Sequence, residues 1–126
     1  MHRSRLAGFI IDCRTTDVAG AARFWSAALG MATESLPGPE GDSYVKLVVP
    51  GERLHIEVQA VDHESRVHLD IEADDVEAEV KRLEKLGAKR VQKVQTWVVM
   101  EAPTGQRFCV VRPQNKSFGQ DANVWK

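Results

Sequence analysis

The chain has 126 residues, of which 43% are hydrophobic and 28% are charged, and its formal net charge is −1 at pH 7. This length suits one compact domain over residues 1–126. The near-neutral charge without a basic run argues against a nucleic-acid partner, and no stretch approaches the roughly 20 apolar residues of a membrane span. Cys13 and Cys109 stand far apart without a CxxC motif, which argues against a disulfide framework and a zinc ribbon. We therefore predict a cytoplasmic protein that has neither a nucleic-acid nor a membrane partner.

The first half of the chain predicts a strand, a helix and three further strands, in that order. Residues 7–13 are a short apolar run rich in β-branched side chains, which is typical of a strand. Asp17 is placed to cap a helix whose apolar positions recur at helical spacing, and Gly30 follows as a natural C-terminal residue. The half is completed by a weak strand over residues 31–36, a loop over 37–42, and strands over 44–49 and 54–59.

The second half predicts the same order. Residues 67–73 form a predicted strand, and Asp74 or Asp75 caps a second helix. The charged residues of this helix, between positions 77 and 85, are predicted to form a solvated face. Its predicted buried stripe consists of Val76, Val80, Leu83 and Leu86.

Three strands and a tail are predicted after the second helix. The strands cover residues 89–94, 96–102 and 107–112. The tail beyond residue 113 is polar, but it contains Phe118 and Trp125. We predict that these aromatic side chains dock the tail on the rest of the protein.

The two halves are related by an internal repeat. Asp12 and Asp70 lie in the first strand of each half, and both helices stop at a Leu-Gly pair. The segment PGERLHIEV of the first half is matched by PTGQRFCVV in the second. Two copies are too few for a solenoid, which needs at least three. We therefore predict one α+β domain of two βαβββ modules, about residues 6–60 and 66–113, related by a pseudo-two-fold axis, with a C-terminal tail over 114–126.

These motifs resemble the vicinal oxygen chelate superfamily, which contains glyoxalase I, bleomycin-resistance proteins, fosfomycin-modifying enzymes and extradiol dioxygenases. The segments that carry the resemblance are DVAGAARFWSAALG, VHLDIEADDVEAEVKRLEKLGA and APTGQRFCVV. The resemblance covers residues 6–113 and is strongest to the glyoxalase-like branch. It implies a curved mixed sheet around a concave pocket that binds a small molecule, often with a divalent metal ion. It also implies a homodimer, in which paired chains cover open sheet edges.

Strand alternation sorts the side chains, because successive residues of a strand point to opposite faces of the sheet. The residues predicted to meet the helices are Phe9, Ile11, Cys13, Leu54, Ile56, Val58, Leu69, Ile71, Phe108 and Val110. The residues predicted to line the concave face are Gly8, Ile10, Asp12, His55, Glu57, Gln59, His68, Asp70, Glu72, Arg107, Cys109 and Val111. For Trp97 the two faces of its strand are equally apolar, so neither side is predicted.

The polar residues of the concave face form the candidate site for a small-molecule ligand. Glu57 and His68 are the candidate catalytic residues, because a carboxylate and an imidazole can move a proton. Trp25 either packs between helix and sheet or forms a wall of the pocket. The candidate substrate-binding residues are Asp12, His55, Asp70, Cys109 and Trp25.

The divalent metal ion implied by the resemblance would take ligands from the first and last strands of each module. His68 stands where the second module of the family has its histidine. The matching position in the first module is near Ile10, which cannot bind a metal, and Cys109 replaces the acidic ligand of the last strand. The candidate metal ligands that remain are His68, His55 and Glu57. We therefore predict that no metal is tightly held in the full family geometry.

Three classes of function stay open. An enzyme of this superfamily would have lyase, isomerase or dioxygenase-related activity on a small metabolite. The alternative is a non-catalytic protein that sequesters a small molecule, as bleomycin-resistance relatives do, and a structural domain is the third class. The residues leave this choice open, because His68 can equally be a hydrogen-bonded strand histidine and Cys109 a small buried hydrophobic residue.

Overall fold

The computed structural model describes residues 1–126, except for the side chain of Glu52. The chain divides into two compact units. The N-terminal unit is Phe9–Val67, and the C-terminal unit combines Met1–Gly8 with His68–Lys126. Each unit has its own hydrophobic cluster.

The order of elements confirms the predicted α+β class and the βαβββ order of both modules. The helices are α1 (Val18–Leu29), α2 (Val76–Lys85) and the short α3 (Phe118–Asp121), with 3-10 turns at Gly38–Asp42 and Pro50–Glu52. No helix in the described part of the chain has the length and apolar character to cross a lipid bilayer. The strands are β1 (His2–Arg14), β2 (Thr33–Ser35), β3 (Tyr44–Leu47), β4 (His55–Val61), β5 (Arg66–Ala73), β6 (Lys89–Val94), β7 (Trp97–Glu101), β8 (Arg107–Val111) and β9 (Asn123–Trp125).

In the N-terminal unit the strands follow the order β2-β3-β4-β1, with antiparallel pairing from β2 to β4. Helix α1 begins after Asp17, whose carboxylate accepts a hydrogen bond from the amide of Gly20 at 3.0 Å. It ends at Gly30, which adopts the left-handed conformation with φ of 68°. The predicted N-terminal cap at Asp17 and the predicted C-terminal glycine at Gly30 are therefore both confirmed. The buried cluster beneath α1 consists of Ile11, Ala22, Leu47, Ile56 and Val58.

In the C-terminal unit the strands follow the order β1-β5-β8-β7-β6, and β9 pairs with the beginning of β1. Strands β5 and β8 are parallel neighbours. Helix α2 is capped by Asp75, which accepts from the amide of Ala78 at 3.0 Å, whereas Asp74 accepts from the amide of Arg3. The buried cluster consists of Ala73, Val80, Leu83, Val98, Met100 and Val110.

Two predicted core residues of the second module are exposed. Leu69 is 52% exposed, although its neighbour Ile71 packs against the cluster as predicted. The apolar face of β5 is therefore covered only from Ile71 onward. Leu86 is 66% exposed because α2 ends at Lys85, one residue before it, so the predicted stripe stops at Leu83.

The predicted solvated face of α2 is wrong at Glu79, whose side chain is fully buried. Its carboxylate receives hydrogen bonds from His2 and Ser4, which lie in the first residues of β1. This also explains why β1 begins five residues earlier than predicted. The first inward-facing residues of β1 are polar, because they bond to Glu79. The alternation of apolar and polar residues that predicts a strand is therefore missing there.

The C-terminal segment docks on its unit, as Phe118 and Trp125 predicted. Phe118 is 9% exposed, and the guanidinium of Arg5 lies 5.7 Å from the centre of its ring. The indole Nε1 of Trp125 donates to the hydroxyl of Ser4 at 2.8 Å. The segment is further held by the fully buried Glu72, which accepts hydrogen bonds from the amides of residues 114 and 115.

Candidate functional site

Three potential metal-binding side chains meet on one face of the parallel strands β5 and β8. Asp70 lies directly opposite Cys109 in the strand register, and His68 precedes Asp70 by two residues and so shares its face. One ligand atom from each of the three side chains lies within 4.8 Å of the other two. The sequence placed all three residues on one face, and the pairing of β5 with β8 brings them together.

Asp70 is the most buried member of this group, with 8% of its surface exposed. Its Oδ1 atom lies 3.4 Å from Nε2 of His68 and makes no hydrogen bond to any described residue. Buried carboxylate oxygens normally have a hydrogen-bonding or cationic partner, because desolvation is costly without one. This oxygen is therefore a buried acceptor beside His68, within the group that Cys109 completes.

Strand β7 supplies apolar side chains beside the group. Val99 lies opposite Cys109 in the antiparallel pairing of β7 with β8. Val98 and Met100 are buried in the core cluster, so Trp97 and Val99 point to the same face as Cys109. The face taken by Trp97 was not predictable because its strand is apolar on both sides, and only the burial of its neighbours decides it.

A second polar pair lies in the N-terminal unit, on β4. Nε2 of His55 is 2.9 Å from Oε2 of Glu57, and the two side chains are 11% and 13% exposed. The alternating Ile56 and Val58 are buried in the core, so His55 and Glu57 point away from it, as predicted. An imidazole in contact with a carboxylate at this distance can exchange a proton with it. Farther along β4, the side chain of Gln59 donates to the hydroxyl of Tyr44 at 2.8 Å.

Asp12 is also buried in the N-terminal unit, with 2% of its surface exposed. Nε of Arg66 lies 3.7 Å from its Oδ2 atom. Arg66 is half exposed and begins β5, and it was not predicted to be a partner of Asp12. An arginine at the start of a strand does not indicate which carboxylate it will pair with, so only the fold reveals this ion pair.

Trp25 lies on the helix side of the N-terminal unit, packed against the hydrophobic cluster. Its ring meets Phe24 edge to face, with 5.1 Å between the ring centres. Cys13 packs against the same cluster, where burial raises the pKa of its thiol, with a lesser opposing effect of a hydrogen bond with Trp25. Of the two predicted alternatives for Trp25, the structure therefore shows packing between helix and sheet. The ring lies on the face of the strands opposite to Asp12 and His55.

The structure therefore sorts the predicted site residues into groups within each unit. His68, Asp70 and Cys109 come together in the C-terminal unit. His55 and Glu57 form a contact in the N-terminal unit, where Asp12 pairs with Arg66. Glu72 shares the face of Asp70, but its carboxylate is occupied by the C-terminal segment and by Nε of Arg5 at 3.0 Å.

The family of the chain follows from comparison with known proteins. The family model of the glyoxalase-like domain matches residues 8–111, so the chain belongs to the glyoxalase-like domain family. The fold matches that of solved members of the glyoxalase/bleomycin resistance/dioxygenase superfamily. No match was found among curated proteins.

Three solved structures illustrate this similarity. Methylmalonyl-CoA epimerase from Mycobacterium tuberculosis is 19% identical over 88% of this chain and 89% of its own, with a TM-score of 0.61. A glyoxalase/bleomycin resistance protein/dioxygenase superfamily member from Vibrio splendidus 12B01 is 16% identical over 85% of this chain and 98% of its own, with a TM-score of 0.51. A mutant of 4-hydroxymandelate synthase from Streptomyces coelicolor is 18% identical over 90% of this chain and 40% of its own, with a TM-score of 0.62. At these identities the similarity establishes the fold alone.

Proposed function

We propose that the protein binds a small oxygen-bearing metabolite at the His68–Asp70–Cys109 group and acts on it chemically. The observation that carries this proposal is the convergence of three ligand atoms within 4.8 Å on one face of two neighbouring strands. Taking an imidazole, a carboxylate and a thiol partly out of water on one face is costly, and a bound ligand can offset that cost. The apolar side chains of Val99 and Trp97 on the same face would exclude water from a bound ligand.

The residues of the group also fit the divalent metal ion that the family implies. Imidazole nitrogen, carboxylate oxygen and thiolate sulfur are all metal ligands, and Oδ1 of Asp70 is buried without a hydrogen bond from a described residue. The prediction that no metal is tightly held counted only the ligand positions used by the family, and Asp70 is not among them. When bound, such an ion polarises an oxygen atom of the substrate.

The chain's own residues would orient the substrate and move its proton. His68 can donate a hydrogen bond to a substrate oxygen from the imidazole, whose Nε2 already faces Asp70. His68 is also proposed to move the proton, because an imidazole can serve as a general acid and as a general base. These roles support a lyase or isomerase reaction, in which a proton is removed and returned.

A binding screen with matched histidine variants tests the proposal. Purified protein is screened by thermal shift and calorimetry against hydroxy-carbonyl compounds, carboxylic acids and acyl-CoA thioesters, the last because one structural relative is methylmalonyl-CoA epimerase. His68→Ala should abolish the ligand-induced shift. His63→Ala is the control, since His63 bonds to the backbone carbonyl of Glu64 outside the group. Unchanged ligand binding by His68→Ala would refute the proposal.

Turnover distinguishes the enzyme from a sequestering protein. Each ligand that binds is followed by proton NMR in deuterated water, where abstraction and return of a proton exchanges it for deuterium. Exchange that is faster with the native protein than without it would support the enzyme. Tight binding without any chemical change would instead favour a binding protein of the bleomycin-resistance type.

We also propose, on the family relationship alone, that the protein is a homodimer. Sedimentation equilibrium at micromolar concentration should give twice the chain mass of 14.0 kDa. A single species of chain mass would contradict the homodimer.

A further inference from the structure

We infer that His68, Asp70 and Cys109 bind a sulfur-preferring divalent cation, of the type of Zn²⁺ or Co²⁺, with the Cys109 thiolate as a ligand. This inference rests on the proposed function, because it specifies the cofactor of the same group. It differs from the ligand set predicted from the sequence, in which His55 and Glu57 accompany His68.

The geometry of the strands supports a single binding point. Asp70 and Cys109 are direct neighbours across the parallel strands β5 and β8, and His68 lies two residues earlier on the same face. Their ligand atoms lie within 4.8 Å of one another. Zinc bonds are about 2.3 Å to sulfur and about 2.0 Å to nitrogen, so two atoms on one ion lie roughly 3–4 Å apart. Small side-chain rotations would therefore bring the three atoms around one ion.

The chemistry of the three atoms selects the ion. A thiolate is a soft ligand that favours Zn²⁺, Co²⁺ and related transition metals. Mg²⁺ and Ca²⁺ require oxygen ligands, of which this group offers only the carboxylate of Asp70. The replacement of an oxygen ligand by the sulfur of Cys109 therefore shifts the preference of the site from hard to sulfur-preferring ions.

The buried carboxylate is an independent reason to expect a cation. Asp70 is 8% exposed, and its Oδ1 makes no hydrogen bond to a described residue. The contact of this oxygen with Nε2 of His68 is 3.4 Å, longer than a strong charge-assisted hydrogen bond. A bound cation would give this oxygen the partner that a buried charge requires.

The number of protein ligands suggests how the ion would be used. Structural zinc sites are closed by four protein ligands, whereas catalytic sites use three and leave a position for water or substrate. This group supplies three. The inferred ion would therefore be accessible to a small ligand and would act as a cofactor of the proposed function.

Cobalt absorption tests the sulfur ligand directly, without a substrate. Protein freed of metal by chelation is titrated with Co²⁺, and binding through a thiolate should produce a sulfur-to-cobalt charge-transfer band. Cys109→Ser should remove this band and weaken Zn²⁺ binding by at least about 100-fold. Cys13→Ser is the matched control and should keep both, because Cys13 packs in the hydrophobic cluster of the N-terminal unit. Circular dichroism checks that each variant is folded.

The outcomes separate this inference from the proposed function. Co²⁺ binding without the band, an unchanged band in Cys109→Ser, or an equal thermal shift with Mg²⁺ and Zn²⁺ would each overturn the inference. Absence of metal binding together with His68-dependent metabolite binding would overturn the inference but leave the proposed function standing. Metal binding through Cys109 in a protein that binds no metabolite would support the inference and count against the proposed function.

Discussion

Arg82 holds the buried carboxylate of Glu79 with two hydrogen bonds, from Nε at 2.8 Å and from Nη2 at 2.9 Å. His2 and Ser4 complete the environment of this carboxylate, each with a contact of 2.8 Å. The guanidinium of Arg82 also lies 3.8 Å from the centre of the Trp125 ring. One buried charge on α2 thus connects the beginning of β1 with the last residues of the chain.

We expect Glu79→Ala to destabilise the protein by about 3–5 kcal/mol at pH 7, because it leaves the partly buried Arg82 without its anion. Chemical denaturation measures this loss. The matched control is Glu77→Ala on the same helix, since Glu77 is half exposed and pairs with the exposed Arg90 at the surface. An equal effect of the two substitutions would show that burial of Glu79 contributes nothing.

The same carboxylate should make stability depend on acidic pH. Burial acts to raise the pKa of Glu79, but hydrogen bonds from Arg82, His2 and Ser4 outweigh it and hold the pKa below its ordinary value of 4.5. A carboxyl group with a lowered folded-state pKa stabilises the protein above its unfolded-state pKa and loses this effect as pH falls through the folded-state pKa. The free energy of unfolding should therefore fall more steeply below about pH 5 in the native protein than in Glu79→Gln. Parallel curves for the two proteins in urea denaturation at several pH values would contradict this expectation.

We expect Trp125→Ala to destabilise the protein by about 2 kcal/mol, because it removes the ring beneath Arg82 and the hydrogen bond to Ser4. Trp125→Phe should lose less, since it keeps one aromatic ring, although it lacks the indole N–H and the second ring. Thermal and urea denaturation of both variants measure the difference. If the two variants lose equal stability, the ring does not support Arg82.

Glu72 should control the order of the segment that follows β8. Its Oε1 accepts from the amides of Gln114 at 2.6 Å and Asn115 at 3.2 Å, and its Oε2 accepts from Arg5 and from the side chain of Asn115. We expect Glu72→Ala to cost about 3–5 kcal/mol and to remove the hydrogen-exchange protection of these two amides. The exposed Glu64 gives a control, Glu64→Ala, that should leave their exchange unchanged.

Cys13 should react slowly with thiol reagents. Burial raises the pKa of its thiol above the ordinary value of 9.0, and the negative charge of Asp12 raises it further, although a hydrogen bond with Trp25 opposes them. Only the thiolate is nucleophilic, so we expect alkylation at pH 7.5 several times slower than that of free cysteine. Mass spectrometry of the Cys109→Ser protein isolates this reaction. A rate equal to that of free cysteine would mean that the thiol is neither buried nor perturbed.

The sequence predicted the elements whose signals are local. Asp17 and Gly30 delimit α1 because a cap and a left-handed residue act within one helical turn. Alternation in β4 and β8 assigned the faces of His55 and Cys109 because a strand has a fixed period of two. These features depend on neighbouring residues alone.

Burial of charge could not be predicted, because it depends on partners far away in the sequence. Glu79 belongs to a run of charges typical of a solvated helix face, yet its partner Ser4 lies 75 positions away. Leu69 follows the alternation of its strand but is exposed, because alternation assigns a face and does not show whether another element covers it.

For the candidate site, the sequence determined which side chains share a face, and the tertiary structure decided which of them meet. His68, Asp70 and Cys109 were all assigned to one face from the alternation of two separate strands. Only the parallel register of β5 and β8 places Asp70 beside Cys109, and that register depends on backbone hydrogen bonds between strands with a helix and two further strands between them. A side-chain period is a property of each strand, whereas a cluster of ligand atoms is a property of the pairing between strands.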